Sequence, residues 1–125
     1  MSLAKNLLLV PCFLLFIVGV LNAQHQMKPA SERAAKITAW MKTNLQLTPD
    51  QETKVQAINL KYAERMDGMM AGGGTKKQKA RELKDNDASK DAELKGVLSD
   101  SQFQTYYAKK EELKKALKEK KKSGL

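Results

Sequence analysis

The chain has 125 residues, a formal net charge of +9, one cysteine and one histidine. This length suits one small domain, and a single cysteine leaves that domain without an internal disulfide. Beyond Cys12 and His25 the sequence offers no thiol or imidazole, and it has no glycine-rich loop followed by lysine and serine. We therefore predict a protein that is not an enzyme and needs no cofactor, because the residues for nucleophilic catalysis and phosphate binding are missing.

The first segment has the pattern of a secretory signal peptide. Lys5 precedes an apolar run from Leu7 to Leu21, and small Ala23 follows as a cleavage point. The run is shorter than the roughly 20 residues that a membrane-spanning helix needs. We therefore predict a signal peptide over residues 1–23, cleavage near Ala23 and a periplasmic mature protein, rather than a membrane anchor.

Four segments with one apolar face each follow the signal peptide. Their apolar residues recur at steps of three and four, which is the spacing of a helix, and no segment alternates as a strand does. The predicted helices are Ser31 to Leu45, Pro49 to Ala71, Lys76 to Val97 and Asp100 to Lys122, with Ser31 as the first cap. We predict an all-α fold of antiparallel helical hairpins over residues 31–122, with a flexible tail at 24–30 and a short tail at 123–125.

Charged residues interrupt the apolar faces of the last two predicted helices. Asp87 stands where the third helix needs an apolar residue, and Lys110 stands within the seam of the fourth. The segment Lys84 to Lys90 is too polar for a dry core, so the third helix is predicted either to be exposed at its middle or to line a wet groove. Asp85, Asp87 and Asp91 are predicted to lie on a solvated face.

A short motif occurs twice and opens the second and the fourth predicted helix. The two copies are Leu47-Thr48-Pro49-Asp50-Gln51 and Leu98-Ser99-Asp100-Ser101-Gln102. In each copy the hydroxyl residue is the predicted N-cap, and the glutamine three residues later is predicted to bond back to it. This reciprocal arrangement is a capping box, which stabilises the start of a helix.

Leu-Thr-x-x-Gln, repeated at the start of long charged helices, resembles the signature of the Spy/CpxP family. The likeness extends from Leu47 to Leu117, and the run from Asp91 to Phe103 is similar to the last helix junction of that family. The resemblance implies a periplasmic stress-response protein that works as an ATP-independent chaperone on unfolded or acidic envelope proteins, as a homodimer. It equally allows a regulatory partner that docks on an envelope sensor.

Candidate client-binding residues lie in the second and fourth helices. They are Met66, Met69, Met70, Lys110 and Lys114. Methionine adapts to partners of many shapes, and lysine attracts acidic clients. Core filling is the alternative role for the first two methionines, which continue the apolar face of their helix.

Other partners follow from the basic charge and from the single histidine. A positive surface allows peripheral contact with an anionic membrane. Nucleic acid is not expected, because the basic run Lys114 to Lys122 contains no aromatic residue for base stacking. A metal-binding sensor is a further alternative with His25 as its candidate ligand, but one histidine without a cysteine or carboxylate cluster makes a poor site, so no metal is predicted.

Overall fold

The computed structural model describes residues 27–124, which form four α-helices and contain no strand. The helices are α1 (Ala30–Leu45), α2 (Pro49–Ala71), α3 (Lys76–Val97) and α4 (Asp100–Lys122). The predicted all-α fold is confirmed. Within residues 27–124 no helix is long and apolar enough to cross a bilayer. The predicted signal peptide and the cleavage point at Ala23 lie outside the described residues.

The start of α1 differs from its prediction. Ser31 was expected to be the cap, but Pro29 takes that position with φ −51° and ψ 146° and makes no side-chain cap bond. Ser31 already lies in the first helical turn, so its backbone lacks the extended conformation that an N-cap residue adopts. At the other end, Gln46 has φ 53° and ψ 56°, a left-handed conformation that stops the helix.

Consecutive helices run antiparallel, and α2 lies between α1 and α3. Arg33 near the start of α1 forms an ion pair with Asp67 near the end of α2. On the other side of α2, the Tyr62 hydroxyl donates to Glu93 Oε1 of α3 at 2.7 Å. The first part of α4 packs against the ends of α1 and α3, so the chain forms successive hairpins as the sequence predicts.

The apolar core lies at one end of the bundle, where α1 and α3 end and α2 and α4 begin. Its buried residues are Met41, Leu45, Leu47, Val55, Leu94, Leu98 and Tyr106. Burying one side chain of this size contributes roughly 1.5–3 kcal/mol. The leucines that open the two motif copies are both in this cluster, so each motif joins a helix start to the core.

Candidate functional site

Both predicted capping boxes are present. The Gln51 main-chain N–H donates to Thr48 Oγ1 at 3.2 Å, and the Thr48 N–H donates to Gln51 Oε1 at 3.1 Å. The second copy has the same geometry, with distances of 3.2 and 2.9 Å between Ser99 and Gln102. Each box satisfies two N–H groups at the start of its helix.

The two motif glutamines also bond to each other, which the sequence did not reveal. Gln51 Nε2 donates to Gln102 Oε1 at 2.8 Å, and Gln102 Nε2 donates to Gln51 Oε1 at 3.1 Å. The second N–H of Gln51 donates to the Val97 carbonyl at 3.2 Å, and that of Gln102 donates to the Leu45 carbonyl at 3.1 Å. These residues end α3 and α1, so the glutamine pair ties together one end of all four helices.

A third capping box opens α3 and was missed by the sequence reasoning. Gln78 N–H donates to Thr75 Oγ1 at 3.2 Å, and Thr75 N–H donates to Gln78 Oε1 at 2.9 Å. The Thr-x-x-Gln spacing was visible, but no leucine precedes it. In the described part of the chain, Gln78 makes no hydrogen bond to another helix, so this box serves its own helix alone.

Asp87 and Asp91 do not lie on a solvated face, which corrects the prediction; Asp85 is exposed. Lys110 Nζ lies 2.7 Å from Asp87 Oδ2 and 2.7 Å from Asp91 Oδ2, and only 13% of the lysine side chain is exposed. The Tyr106 hydroxyl donates to Asp91 Oδ1 at 2.8 Å. Because α3 and α4 are antiparallel, the charges that interrupt the two apolar faces meet each other.

The surroundings of these charges shift three pKa values. Burial raises the pKa of the Tyr106 hydroxyl, and the Asp91 carboxylate raises it further. Burial opposes ionisation of Asp87, but neighbouring ammonium groups, Lys110 first, outweigh it and lower the Asp87 pKa. Burial also lowers the pKa of Lys90, and the Asp87 carboxylate, 3.7 Å away, offsets this only in part.

A groove of about 550 Å³ lies between α1, α2 and α3. Asn86, Asp87 and Lys90 line it, so the polar middle of the third helix lines a groove, which was one of the two predicted alternatives. The apolar residues of the lining are Ile37, Tyr62, Ala63, Met66 and Leu83. The groove lies away from the apolar core, toward the end of the bundle where α2 leads into α3.

Two asparagines in the groove lining have unsatisfied oxygens. Asn59 is 2% exposed and Asn86 is 9% exposed. Their Oδ1 atoms are buried without a hydrogen-bond partner, the only such side-chain atoms found within residues 27–124. A buried polar atom without a partner costs about 1–3 kcal/mol, so these two oxygens are an unusual feature of a stable helical bundle.

The orientation of both asparagine amides is fixed by their nitrogens. Asn59 Nδ2 donates at 3.0 Å to Thr38 Oγ1, whose own hydrogen goes to the Ala34 carbonyl at 2.9 Å. Asn86 Nδ2 donates at 3.2 Å to the Tyr62 carbonyl. Rotating the Asn86 amide by 180° would place its oxygen against the Tyr62 carbonyl. Rotating the Asn59 amide would require the Thr38 hydroxyl to leave the Ala34 carbonyl. With these bonds in place, the two amide oxygens are the groups left without a donor.

The cations of the groove differ in how well they are paired. Arg33 forms an ion pair with Asp67 and donates hydrogen bonds to the Lys28 and Ala63 carbonyls. Within residues 27–124, the ion-pair partner of Lys36 is Glu32 at 4.0 Å, and the lysine is 64% exposed. In the same part of the chain, the partner of Lys90 is Asp87 at 3.7 Å, and that carboxylate is already held by Lys110. The positive charges of Lys36 and Lys90 are therefore only weakly compensated by neighbouring carboxylates.

The predicted client-binding residues are spread over the molecule rather than gathered at one site. Met66 is half-buried in the groove lining, Met69 is half-buried, and Met70 is exposed. Lys110 is engaged with its two carboxylates, whereas Lys114 is half exposed and lies 3.4 Å from Asp87. The client-binding role of these residues stays a prediction.

Several large apolar side chains face solvent. They are Met27, Ile37, Trp40, Met70, Tyr107 and Leu113, and each is between 37% and 58% exposed. Ile37 and Trp40 are one turn apart on α1, and Tyr107 and Leu113 belong to α4. No group of three or more histidine, cysteine, aspartate or glutamate side chains suited to a metal occurs in residues 27–124; His25 lies outside them.

Residues 21–106 match the family described as a domain of unknown function, DUF4890, and the chain belongs to that family. The matched segment covers more than half of the chain and includes all of α1, α2 and α3 and the start of α4. No curated protein and no solved structure matches the chain.

Proposed function

We propose that this DUF4890 protein is a periplasmic, ATP-independent chaperone-like protein that holds unfolded or acidic envelope proteins. The observation that carries the proposal is the set of exposed apolar side chains on a strongly basic surface, among them Trp40, Tyr107 and Leu113. Small separate apolar contacts retain a partner weakly and reversibly, while the positive charge speeds its approach. The resemblance to the Spy/CpxP family supports the same function.

The described surface suits transient holding better than a permanent interface. Leu113 is 58% exposed and Tyr107 is 49% exposed, and they lie on different faces of α4 among lysines and glutamates. A stable interface buries its apolar residues together in one patch. Side chains spread in this way instead offer many weak contacts to a chain that has no fixed shape.

Light scattering tests the proposal. The mature protein is mixed at several-fold molar excess with a chemically unfolded client, and we expect aggregation to be suppressed. Leu113→Ser with Tyr107→Ser should need a larger excess for the same suppression, while Ala116→Ser, also exposed on α4, should behave as wild type. No suppression by the wild-type protein would refute the proposal.

The location is tested separately. If the signal peptide is cleaved after Ala23, intact-mass measurement of the protein from an envelope fraction should give a chain that begins at Gln24. A chain that retains Lys5 and the apolar run in a membrane fraction would contradict the periplasmic location.

A regulatory partner of an envelope sensor is the second candidate, and the distal half of α4 favours it. Its described side chains from Glu112 onward are exposed and include Lys114, Lys115 and Lys118. This exposed and charged part of α4, which contacts α3 through Lys114 and Asp87, is available for one specific partner. A pull-down from envelope extract separates the functions, because a regulator should retain one partner in stoichiometric amount and a chaperone should retain many in small amounts.

A further inference from the structure

We infer that the groove between α1, α2 and α3 binds an extended peptide segment that carries acidic and apolar side chains. The inference rests on the proposed function, since it identifies the part of an unfolded protein that this surface holds. Its volume of about 550 Å³ is typical of a ligand site, which spans roughly 300–1,000 Å³. The kind of ligand follows from three properties of the lining. These are the unpaired amide oxygens of two asparagines, the weakly compensated charges of two lysines, and the apolar side chains that form the floor of the groove.

The unpaired acceptors select a ligand that donates hydrogen bonds. Asn59 Oδ1 and Asn86 Oδ1 are buried acceptors without a donor, and every residue of a peptide except proline offers a main-chain N–H. The oxygens are covered in the free groove, so the ligand must displace side chains. Met66 and Lys90 are long, flexible members of the lining. A fatty-acid carboxylate has no donor and would leave both oxygens unpaired.

The spare positive charge selects an acidic ligand. Lys36 is exposed and only weakly paired, and Lys90 is largely buried next to a carboxylate that Lys110 already holds. A carboxylate of the ligand can pair with either ammonium group more closely than Glu32 at 4.0 Å or Asp87 at 3.7 Å does. Charge-assisted bonds of this kind are about twice as strong as neutral ones.

The apolar floor selects an extended segment. Ile37, Met66 and Leu83 line the groove from three different helices. Successive side chains of an extended chain point to opposite sides. A segment that alternates apolar and acidic residues can therefore place one set on the floor and direct the other set toward the lysines.

The probe is a fluorescein-labelled peptide of eight residues in which leucine and aspartate alternate, followed by fluorescence anisotropy with the mature protein. Lys90→Met should raise its Kd about tenfold, the loss expected for one charged contact. Lys84→Met removes the same charge from an exposed position of α3 and should leave the Kd unchanged. A peptide with lysine in place of aspartate should bind much more weakly.

A second pair of variants tests whether the peptide binds in the groove, because one of them fills the groove with a larger side chain. Ala63→Phe fills the groove from α2 and should abolish binding, whereas Ala57→Phe on an exposed position of the same helix should not. In ¹H–¹⁵N spectra, the side-chain amide signals of Asn59 and Asn86 should move when the peptide is added. If circular dichroism shows that Ala63→Phe is not folded, the comparison of Lys90→Met with Lys84→Met decides whether the peptide binds in the groove.

Three results would overturn the inference. Equal Kd values for Lys90→Met and Lys84→Met would show that the peptide is held by net charge alone. Unmoved asparagine amide signals would place it elsewhere. Displacement of the peptide by dodecanoate at or below the peptide's own Kd would assign the groove to a lipid chain. If aggregation is still suppressed in these cases, the proposed function survives and only the groove assignment fails.

Discussion

Gln51 and Gln102 lie 51 residues apart in the chain, yet their side-chain amides donate to each other at 2.8 and 3.1 Å. Each amide also caps its own helix and donates to the last carbonyl of another helix. All the donors and acceptors of both groups are therefore used. A carboxylate cannot replace either amide, because it has no N–H to give.

Gln51→Glu and Gln102→Glu are expected to destabilise the protein, while Gln78→Glu is not. In the first two, a carboxylate faces the Val97 or the Leu45 carbonyl, and we expect a loss of about 2 kcal/mol each. Gln78 bonds only within its own capping box, where a glutamate serves as well and the helix dipole favours it, so its change should stay within about 0.5 kcal/mol. Urea unfolding followed by circular dichroism measures all three; equal losses would contradict the paired-amide interpretation.

Lys110→Met is expected to destabilise the contact between α3 and α4. The substitution keeps an unbranched side chain of similar length but leaves the Asp87 and Asp91 carboxylates, both at 2.7 Å, without their shared cation. Removing one partner of a buried pair costs about 3–5 kcal/mol, and partial exposure of these carboxylates should reduce this to about 2 kcal/mol. The control is Lys115→Met at an exposed position of α4, and a similar midpoint of urea unfolding for the two would disprove the role of Lys110.

Lys90→Met should raise the free energy of unfolding, whereas Lys110→Met should lower it. Burial lowers the pKa of Lys90 because its charge is poorly compensated, so an apolar side chain of similar length suits this position better. We expect a gain of up to about 1 kcal/mol, seen as a higher thermal midpoint. Lys84→Met is again the matched control, and a lower midpoint for the Lys90 variant would show that its ion pair with Asp87 is net favourable.

The contribution of Asp87 should disappear in acid. The folded-state pKa of Asp87 is lowered, so its stabilising effect is fully present above the unfolded-state pKa of about 4. It is lost as the pH falls from there through the lower, folded-state value. The groups that face it are Lys90, Lys110 and Lys114. Asp87→Asn should therefore be less stable than wild type at pH 7, and the gap should narrow below pH 4; a constant gap would show that the charge is not the cause.

The limits of the helices could be predicted because the signals for them are local. Pro49 suits the first turn of α2, and Gly72 follows the last residue of that helix. The predicted start of α1 was off by one residue, because Ser31 is a better cap by residue type than Pro29, which holds the N-cap position. Such competition between neighbouring caps is decided by backbone geometry, which the residue types alone do not give.

A groove along the third helix was one of two predicted alternatives, but its other walls and the ion cluster could not be predicted, because both depend on how the helices face one another. In the sequence, Asp87 and Lys110 each interrupt the apolar face of a predicted helix. They form a pair because of the antiparallel register of α3 and α4, which the sequence does not give. Asn59 and Asn86 carry no local signal at all. Their burial is a property of the assembled bundle, because Asn59 bonds to Thr38 of α1 and Asn86 bonds to Tyr62 of α2.

The two ends of the helical bundle are held together by different means. The buried cluster around Met41, Val55 and Leu94 and the amide pair of Gln51 and Gln102 clamp one end, while only the exposed glycine turn at 72–74 joins α2 to α3 at the other. The jaws are thus the parts of α1, α2 and α3 that flank the groove. Amide hydrogen exchange should be slow at the clamp and faster along the jaws, because the buried apolar cluster lies at the clamp.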